Sequence, residues 1–398
     1  MPIIKSVHRA DLPVPDRVAL EHSKMLCNRI RETIQLNNGM ISFARFMEMA
    51  LYEPGLGYYS GGARKFGGAG DFVTAPEISF LFTQCLAGQC QQVLRELQQP
   101  SILELGPGSG LMACDLLQVL EQKNCLPEKY FMLELGADLR QRQQQLVEKK
   151  IPHLASRVFW LDHLPEQPFT GIILGNEVLD AMPVHRLIMK NGGFSELCVG
   201  FTGDEFRWVH RAPDEQINTQ INILPGDITK DLSDGYVTEI NLQIKPWLNS
   251  LTGVIARGVM LFVDYGYTRL EYYHPQRTDG TLLCHYRHHV HDDPFLYPGL
   301  QDITASVDFT FVAEAATDAG FKVRGYTTQA HFLIGNGLEE LINQSHLSGV
   351  IDRADLGRQA RILTMPGEMG ERFKVIALAK DFNVPLAGFQ SFDQRSRL

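Results

Sequence analysis

The 398-residue chain lacks the motifs that most directly announce common enzyme chemistries. It has no G-x-S-x-G elbow, no P-loop and no H-E-x-x-H, which disfavours hydrolase, ATPase and zincin readings. Its seven cysteines (Cys27, Cys85, Cys90, Cys114, Cys125, Cys198 and Cys284) include no Cys-x-x-Cys pair. Neither a disulfide framework nor a thiolate zinc site is therefore expected, and a reducing compartment fits. Long apolar runs are missing too: Gly258 to Val263 is among the longest and is far too short to span a bilayer. Met1 to Asp16 holds three prolines and no apolar h-region, so no signal peptide is read there. Basic charge is in deficit, with 37 Lys and Arg against 46 Asp and Glu, a net −9. That balance argues against non-specific binding to nucleic acid or an anionic membrane. No internal repeat or low-complexity tract stands out.

What the chain does contain is a change of pattern near Pro100. Before it, His22 to Leu36 has helical spacing, and Ser42 reads as the N-cap of a helix over Phe43 to Leu51. Tyr52 to Thr74 is glycine-rich and irregular, but its aromatics Tyr58, Tyr59, Phe66 and Phe72 favour a functional loop over disorder. After it, short apolar runs alternate with helical stretches. Ser101–Leu105, Tyr130–Leu135, Val158–Leu161, Ile172–Leu174 and Val259–Val263 read as buried strands, with a helix from Leu111 to Glu121. Val184 to His210 interrupts the series with alternating strands turned at Asn191-Gly192-Gly193 and Thr202-Gly203-Asp204, an antiparallel insertion. Thr304 to Gly320 predicts an amphipathic helix and Arg372–Ala379 a last strand. The fold class expected is α/β: a mostly parallel sheet with helices on both faces. A helical N-terminal lobe (1–98) would precede the sheet domain (99–398), which carries insertions around 184–245 and 268–303.

The strand ending in Glu104-Leu105 runs into Gly106-Pro107-Gly108-Ser109-Gly110 and then a helix. Glycine permits positive φ and close approach of a ligand, and the helix start offers free N–H groups to an anion. The dinucleotide fingerprint requires a third glycine where Leu111 stands, so the alternate spacing points to S-adenosylmethionine instead. Glu134, about thirty residues beyond Glu104, is placed to accept hydrogen bonds from ribose hydroxyls, and Asp162 to contact the adenine amino group. The plainer readings are a tight turn for the glycines, a turn cap for Glu104 and an ordinary loop acid for Asp162.

After the fourth strand come Asn176, Glu177 and Asp180, one amide and two carboxylates at the ligand end of the sheet. Methyl transfer is an in-line displacement that needs its reacting atoms held in register. Carboxylates can clamp and deprotonate a guanidinium, which is otherwise charged at neutral pH. The competing reading makes Glu177 or Asp180 a helix cap. Thr74, Pro76 and Glu77 have the pattern of a helix start, and Asp264 closes the Val259–Val263 strand. His285, His288, His289, His291, Asp292 and Asp293 match no zinc signature and are read as polar packing, with no metal expected.

Together these runs resemble the MidA-like family. The resemblance covers most of the chain, through Met49–Pro54 with Gly57–Tyr59, Gly70–Glu77, Glu104–Gly110, Asn176–Ala181 and Asp264–Gly266. It continues through Gly280–Leu282, Asp302–Thr304 with Val307–Phe309, and Met369-Gly370 before Phe373-Lys374. The Gly-Asp-Phe-Val-Thr-Ala-Pro-Glu and Asn-Glu-Val-Leu-Asp-Ala runs are the specific ones. The resemblance implies a class I methyltransferase fold, S-adenosylmethionine as donor and protein arginine, of the respiratory complex I subunit type, as acceptor. It also implies that the glycine loop and Glu134 hold the cofactor, that Thr74 to Glu77 covers it, and that Glu177 and Asp180 face the acceptor. Location would be cytoplasmic in a bacterial-type chain and the mitochondrial matrix in a eukaryotic one, with the oligomeric state open between monomer and homodimer. A nicotinamide oxidoreductase, a non-catalytic assembly factor and a methyltransferase for small molecules or nucleic acid are the rival readings.

Overall fold

Apolar runs whose side chains point alternately to two covered faces build the main sheet. Ile102, Ile172, Leu174, Val259 and Leu261 enter one core, while Leu103, Leu105, Ile173, Met260 and Phe262 enter the other. With helices over both faces, neither set needs polar residues between its members. The computed structural model describes residues 12–61, 74–224, 226–348 and 353–398. Residues 1–11, Phe66, Phe72 and the Gly70–Val73 run singled out above lie outside the described residues.

Counted by position in the chain, the seven principal strands lie in the order third, second, first, fourth, fifth, seventh, sixth. They are Ser101–Leu105, Tyr130–Leu133, Val158–Leu161, Phe169–Asn176, Ile255–Tyr267, Lys322–Thr328 and Phe373–Lys380. The first five run parallel, and Phe373–Lys380 is antiparallel to both of its neighbours. The expected mostly parallel α/β sheet, with helices on both faces, is present. Its strand order reverses between the first and fourth strands, so their connections leave in opposite directions and open a crevice at the carboxyl ends. The glycine loop follows one of these strands and Asn176 ends the other.

The N-terminal region is helical, and its helices divide between two cores. Phe80–Arg95 lies on the main sheet's core, whereas Arg17–Leu36 and Phe43–Tyr52 join Val184, Val199, Leu282, Cys284 and Ile303 in a separate cluster. Apolar faces on three distant segments meet there, which local periodicity does not register. Two expectations are corrected. The antiparallel insertion extends beyond Val184–His210: its strands His185–Lys190, Gly193–Thr202 and Glu205–Arg211 share one sheet with Ile41–Ser42 and Val237–Ile240. The helix expected from Thr304 begins at Phe309, because Asp302–Thr304 and Val307–Asp308 pair as short strands. The Asp308 carboxylate accepts the Phe311 N–H at 3.1 Å and caps the helix.

Candidate active site

The crevice opens into a cavity of about 2060 Å³. Glu104, Gly106, Pro107 and Gly108 line it, together with Glu134, Leu135 and Gly136. Gly106 and Gly108 adopt φ of +61° and +53°, a conformation that costs a side chain-bearing residue energy and that glycine takes freely. Glu134 Oε1 accepts the Gly136 N–H at 2.7 Å, and Oε2 accepts Gln143 Nε2 at 3.0 Å. Gln143 also donates to the Gly108 carbonyl at 2.9 Å and accepts from Trp160 Nε1 at 3.0 Å. One fully buried amide therefore ties the glycine loop to the acid on the next strand. Sequence reading missed it, although a glutamine between Leu139 and Val147 on a buried helical stripe is a visible signal.

Glu104 is buried and accepts the Tyr130 hydroxyl at 2.7 Å. Burial pushes its carboxyl up to about 7, against the lowering effect of that hydrogen bond. Two of the residues expected to bind the cofactor are not among those that line this cavity. Gly110 is outside the cavity lining; it starts the Leu111–Gln122 helix at φ +78°, with Gln143 and Met132 packed against it. Asp162 also lies outside the lining, with its side chain 78% exposed and paired to Arg140. The Arg140 guanidinium of the Ala137–Lys150 helix is its partner here.

Thr74, Pro76 and Glu77 also line the cavity. Thr74 occupies the N-cap position of the short Ala75–Ile78 helix without a side-chain capping bond. Asn176, Glu177 and Asp180 line the same cavity. Glu177 holds φ +54°, unusual for a residue with a side chain, and its N–H donates to the Val263 carbonyl at 2.9 Å. Asp264 stabilises this bend. Its Oδ2 accepts the backbone N–H groups of Val178, Leu179 and Asp180 at 3.1, 2.8 and 3.3 Å, while Oδ1 accepts that of Tyr265 at 2.9 Å. The Asp264→Ala variant would strand these four donors, and we expect it to unfold about 2–4 kcal/mol more easily. A urea midpoint equal to the parent's would contradict the anchoring role.

Asn176 Nδ2 donates to Glu177 Oε1 at 3.0 Å. Burial, followed by the charge of Asp180, raises Glu177 to about 8; burial raises Asp180 to about 7. Among the described residues, no Lys or Arg forms an ion pair with Glu177, Asp180 or Asp264. Buried carboxylates grouped without a counter-cation repel one another and favour a cationic guest. The histidine-rich segment is different in kind. His285 lies on the Leu283–Tyr286 strand, and burial lowers it to about 4, leaving a neutral imidazole. Among the described residues, no group of three or more His, Cys, Asp or Glu is arranged to hold a metal. No described helix is long and apolar enough to cross a membrane.

Comparison with known proteins settles the donor. Residues 85–327 match the model of a family of S-adenosyl-L-methionine-dependent methyltransferases. The chain belongs to this family, of MidA-like methyltransferases. A COG1565 superfamily member from Burkholderia thailandensis, crystallised with S-adenosyl-homocysteine, is 40% identical at a TM-score of 0.91. The alignment covers 98% of this chain and 100% of that one. The Drosophila melanogaster protein arginine methyltransferase NDUFAF7 homolog, mitochondrial, is 28% identical, over 89% of this chain and 84% of its own length. The Danio rerio protein arginine methyltransferase NDUFAF7, mitochondrial, is 29% identical, over 90% of each.

The cofactor of this methyltransferase is S-adenosylmethionine. The residues present fit it: bare backbone at Gly106 and Gly108, the Glu134 carboxylate, and the apolar, 74% exposed Leu135 border one space. When bound, the cofactor supplies an electrophilic methyl group on a sulfonium. The protein's task is then to hold the acceptor atom in line with that methyl group.

Proposed function

We propose that this methyltransferase modifies arginine in a protein substrate, of the respiratory complex I subunit type implied by the family resemblance. The observation that carries the reading is the pair of half-buried Glu177 and buried Asp180, without a described basic partner, in the lining of the cavity that Glu134 also borders. A guanidinium has a planar fork of donors and stays charged in water, so its entry favours the ionised form of these acids, which then orient it. As the new N–C bond forms and the donor S–C bond breaks, the alkylated nitrogen gives up a proton. Glu177 or Asp180 accepts it. The cavity of about 2060 Å³ exceeds the roughly 300–1,000 Å³ of ordinary small-ligand pockets. That excess leaves space for an acceptor beside the donor, and the printed names of the Drosophila and zebrafish relatives point to a protein. Those names also place the relatives in mitochondria; for a bacterial-type chain the cytoplasm is the corresponding location.

The test is co-purification of the full chain with its protein partners, incubation with isotope-labelled S-adenosylmethionine, and mass spectrometry of the products. Label on arginine nitrogen is the expected result. Label confined to lysine, carboxylates, small molecules or nucleic acid would overturn the arginine assignment while leaving the donor in place.

A further inference from the structure

One more carboxylate borders the cavity, on an element remote from the Asn176–Asp180 loop. Asp302 begins the Asp302–Thr304 strand at an edge of the small three-stranded sheet, is 3% exposed, and lines the cavity. Just beyond that strand, the Ala305 N–H donates to the Asp180 carbonyl at 3.0 Å, so the two acid-bearing segments are tied together. The Tyr59 hydroxyl donates to Asp302 Oδ1 at 2.9 Å. Tyr59 also lies close to Gly136: a Cβ added at Gly136 would lie 2.8 Å from its carbonyl oxygen. Its ring stacks on Tyr52 at 5.5 Å and 24°, and the Tyr52 hydroxyl donates to the Ala181 carbonyl at 3.0 Å. A single tyrosine thus lies beside both Asp302 and Gly136.

A neutral side chain at position 302 could accept the Tyr59 hydroxyl with less desolvation. A carboxylate there adds to the charge bearing on Glu177. Asp180, 4% exposed, has an Oδ1 that makes no hydrogen bond of good geometry, although the Tyr265 hydroxyl beside it favours its ionised form. Repulsion and an unsatisfied oxygen are both relieved by a cation with several donors.

We propose that Asp302, held by Tyr59, is a third acceptor-binding carboxylate, and that acids on two separate elements select a planar guanidinium over an ammonium. This rests on the arginine reading above. Arginine presents five donors in a fixed fork, whereas lysine presents three on one rotating nitrogen. Carboxylates arriving from different directions suit the fork.

The test uses the full chain saturated with S-adenosylhomocysteine and three probes: the N-acetyl methylamides of arginine, lysine and citrulline. Calorimetry of the parent is expected to show the arginine probe bound more tightly than either of the others. Asp302→Asn should weaken the arginine probe about tenfold or more and narrow its advantage over lysine, with S-adenosylhomocysteine affinity within about twofold. Tyr59→Phe keeps the ring and should weaken the same probe about threefold. The pH dependence separates recognition from packing. Removing the Asp302 charge takes away one influence that raises Glu177, so the acidic limb of the affinity profile should move to lower pH. A packing defect would lower affinity without moving that limb. Equal arginine-probe affinity in parent and Asp302→Asn, or in parent and Tyr59→Phe should Asp302→Asn not fold, overturns the role of Asp302 and spares the arginine reading. Failure of the parent to prefer the arginine probe overturns both.

Discussion

Replacing Glu177 by Gln is expected to cost roughly 100-fold or more in methyl transfer while raising the melting temperature in alkaline buffer. The two effects share one cause. Gln can still accept the Asn176 amide, so the bend survives, but the carboxylate proposed to orient the acceptor and take its proton is gone. In the folded chain Glu177 titrates at about 8, against an ordinary value of 4.5. The folded state therefore holds a proton that the unfolded chain has released across that interval. Stability from this group is greatest below about 4.5, declines as pH rises, and reaches its minimum above about 8. Gln removes the penalty, so its advantage in melting temperature should grow from about pH 5 to about pH 9. Cofactor affinity should stay within a few-fold. A variant that melts below the parent at both pH values would sink the electrostatic account. One that loses cofactor binding would move Glu177 to the donor end.

The second large effect is expected at Gly108. With φ at +53° and a place in the cavity lining, a β-branched residue there would carry backbone strain of about 1–2 kcal/mol and enter the space proposed for the cofactor. Gly108→Val should also disturb the Gln143 amide that holds the Gly108 carbonyl. We expect S-adenosylhomocysteine binding to weaken about 100-fold or more, with the far-ultraviolet circular dichroism unchanged. Undiminished binding by calorimetry would show that the cofactor does not rest on this loop.

Much of the sheet is legible in the chain because it is encoded locally. Ser101–Leu105 and Val158–Leu161 appear with the bounds read from their apolar runs, and the Leu111 helix starts at the expected residue. Ile172–Leu174 is the middle of Phe169–Asn176, since a hydrogen-bonded ladder continues past the apolar residues that mark it. Glu104, Gly106, Pro107, Gly108, Glu134, Thr74, Pro76, Glu77, Asn176, Glu177 and Asp180 come together around one cavity. Gly110 and Asp162 do not. A glycine motif marks where backbone must bend, not which of its members meets the ligand, and a strand-end acid goes to whichever cation lies nearer.

Local order along the chain determined the alternating strands and helices, the bare-backbone turn and the acids just past the strand ends. Those features depend on residues a few positions apart. The packing of Arg17–Leu36 and Phe43–Tyr52 against both insertions was decided only in three dimensions. So were the grip of Asp264 on the Val178–Asp180 backbone, the Gln143 bridge and the influence of Asp302 on Glu177. Each joins residues on separate elements, and only burial and charge, acting after the chain has folded back on itself, select such partners.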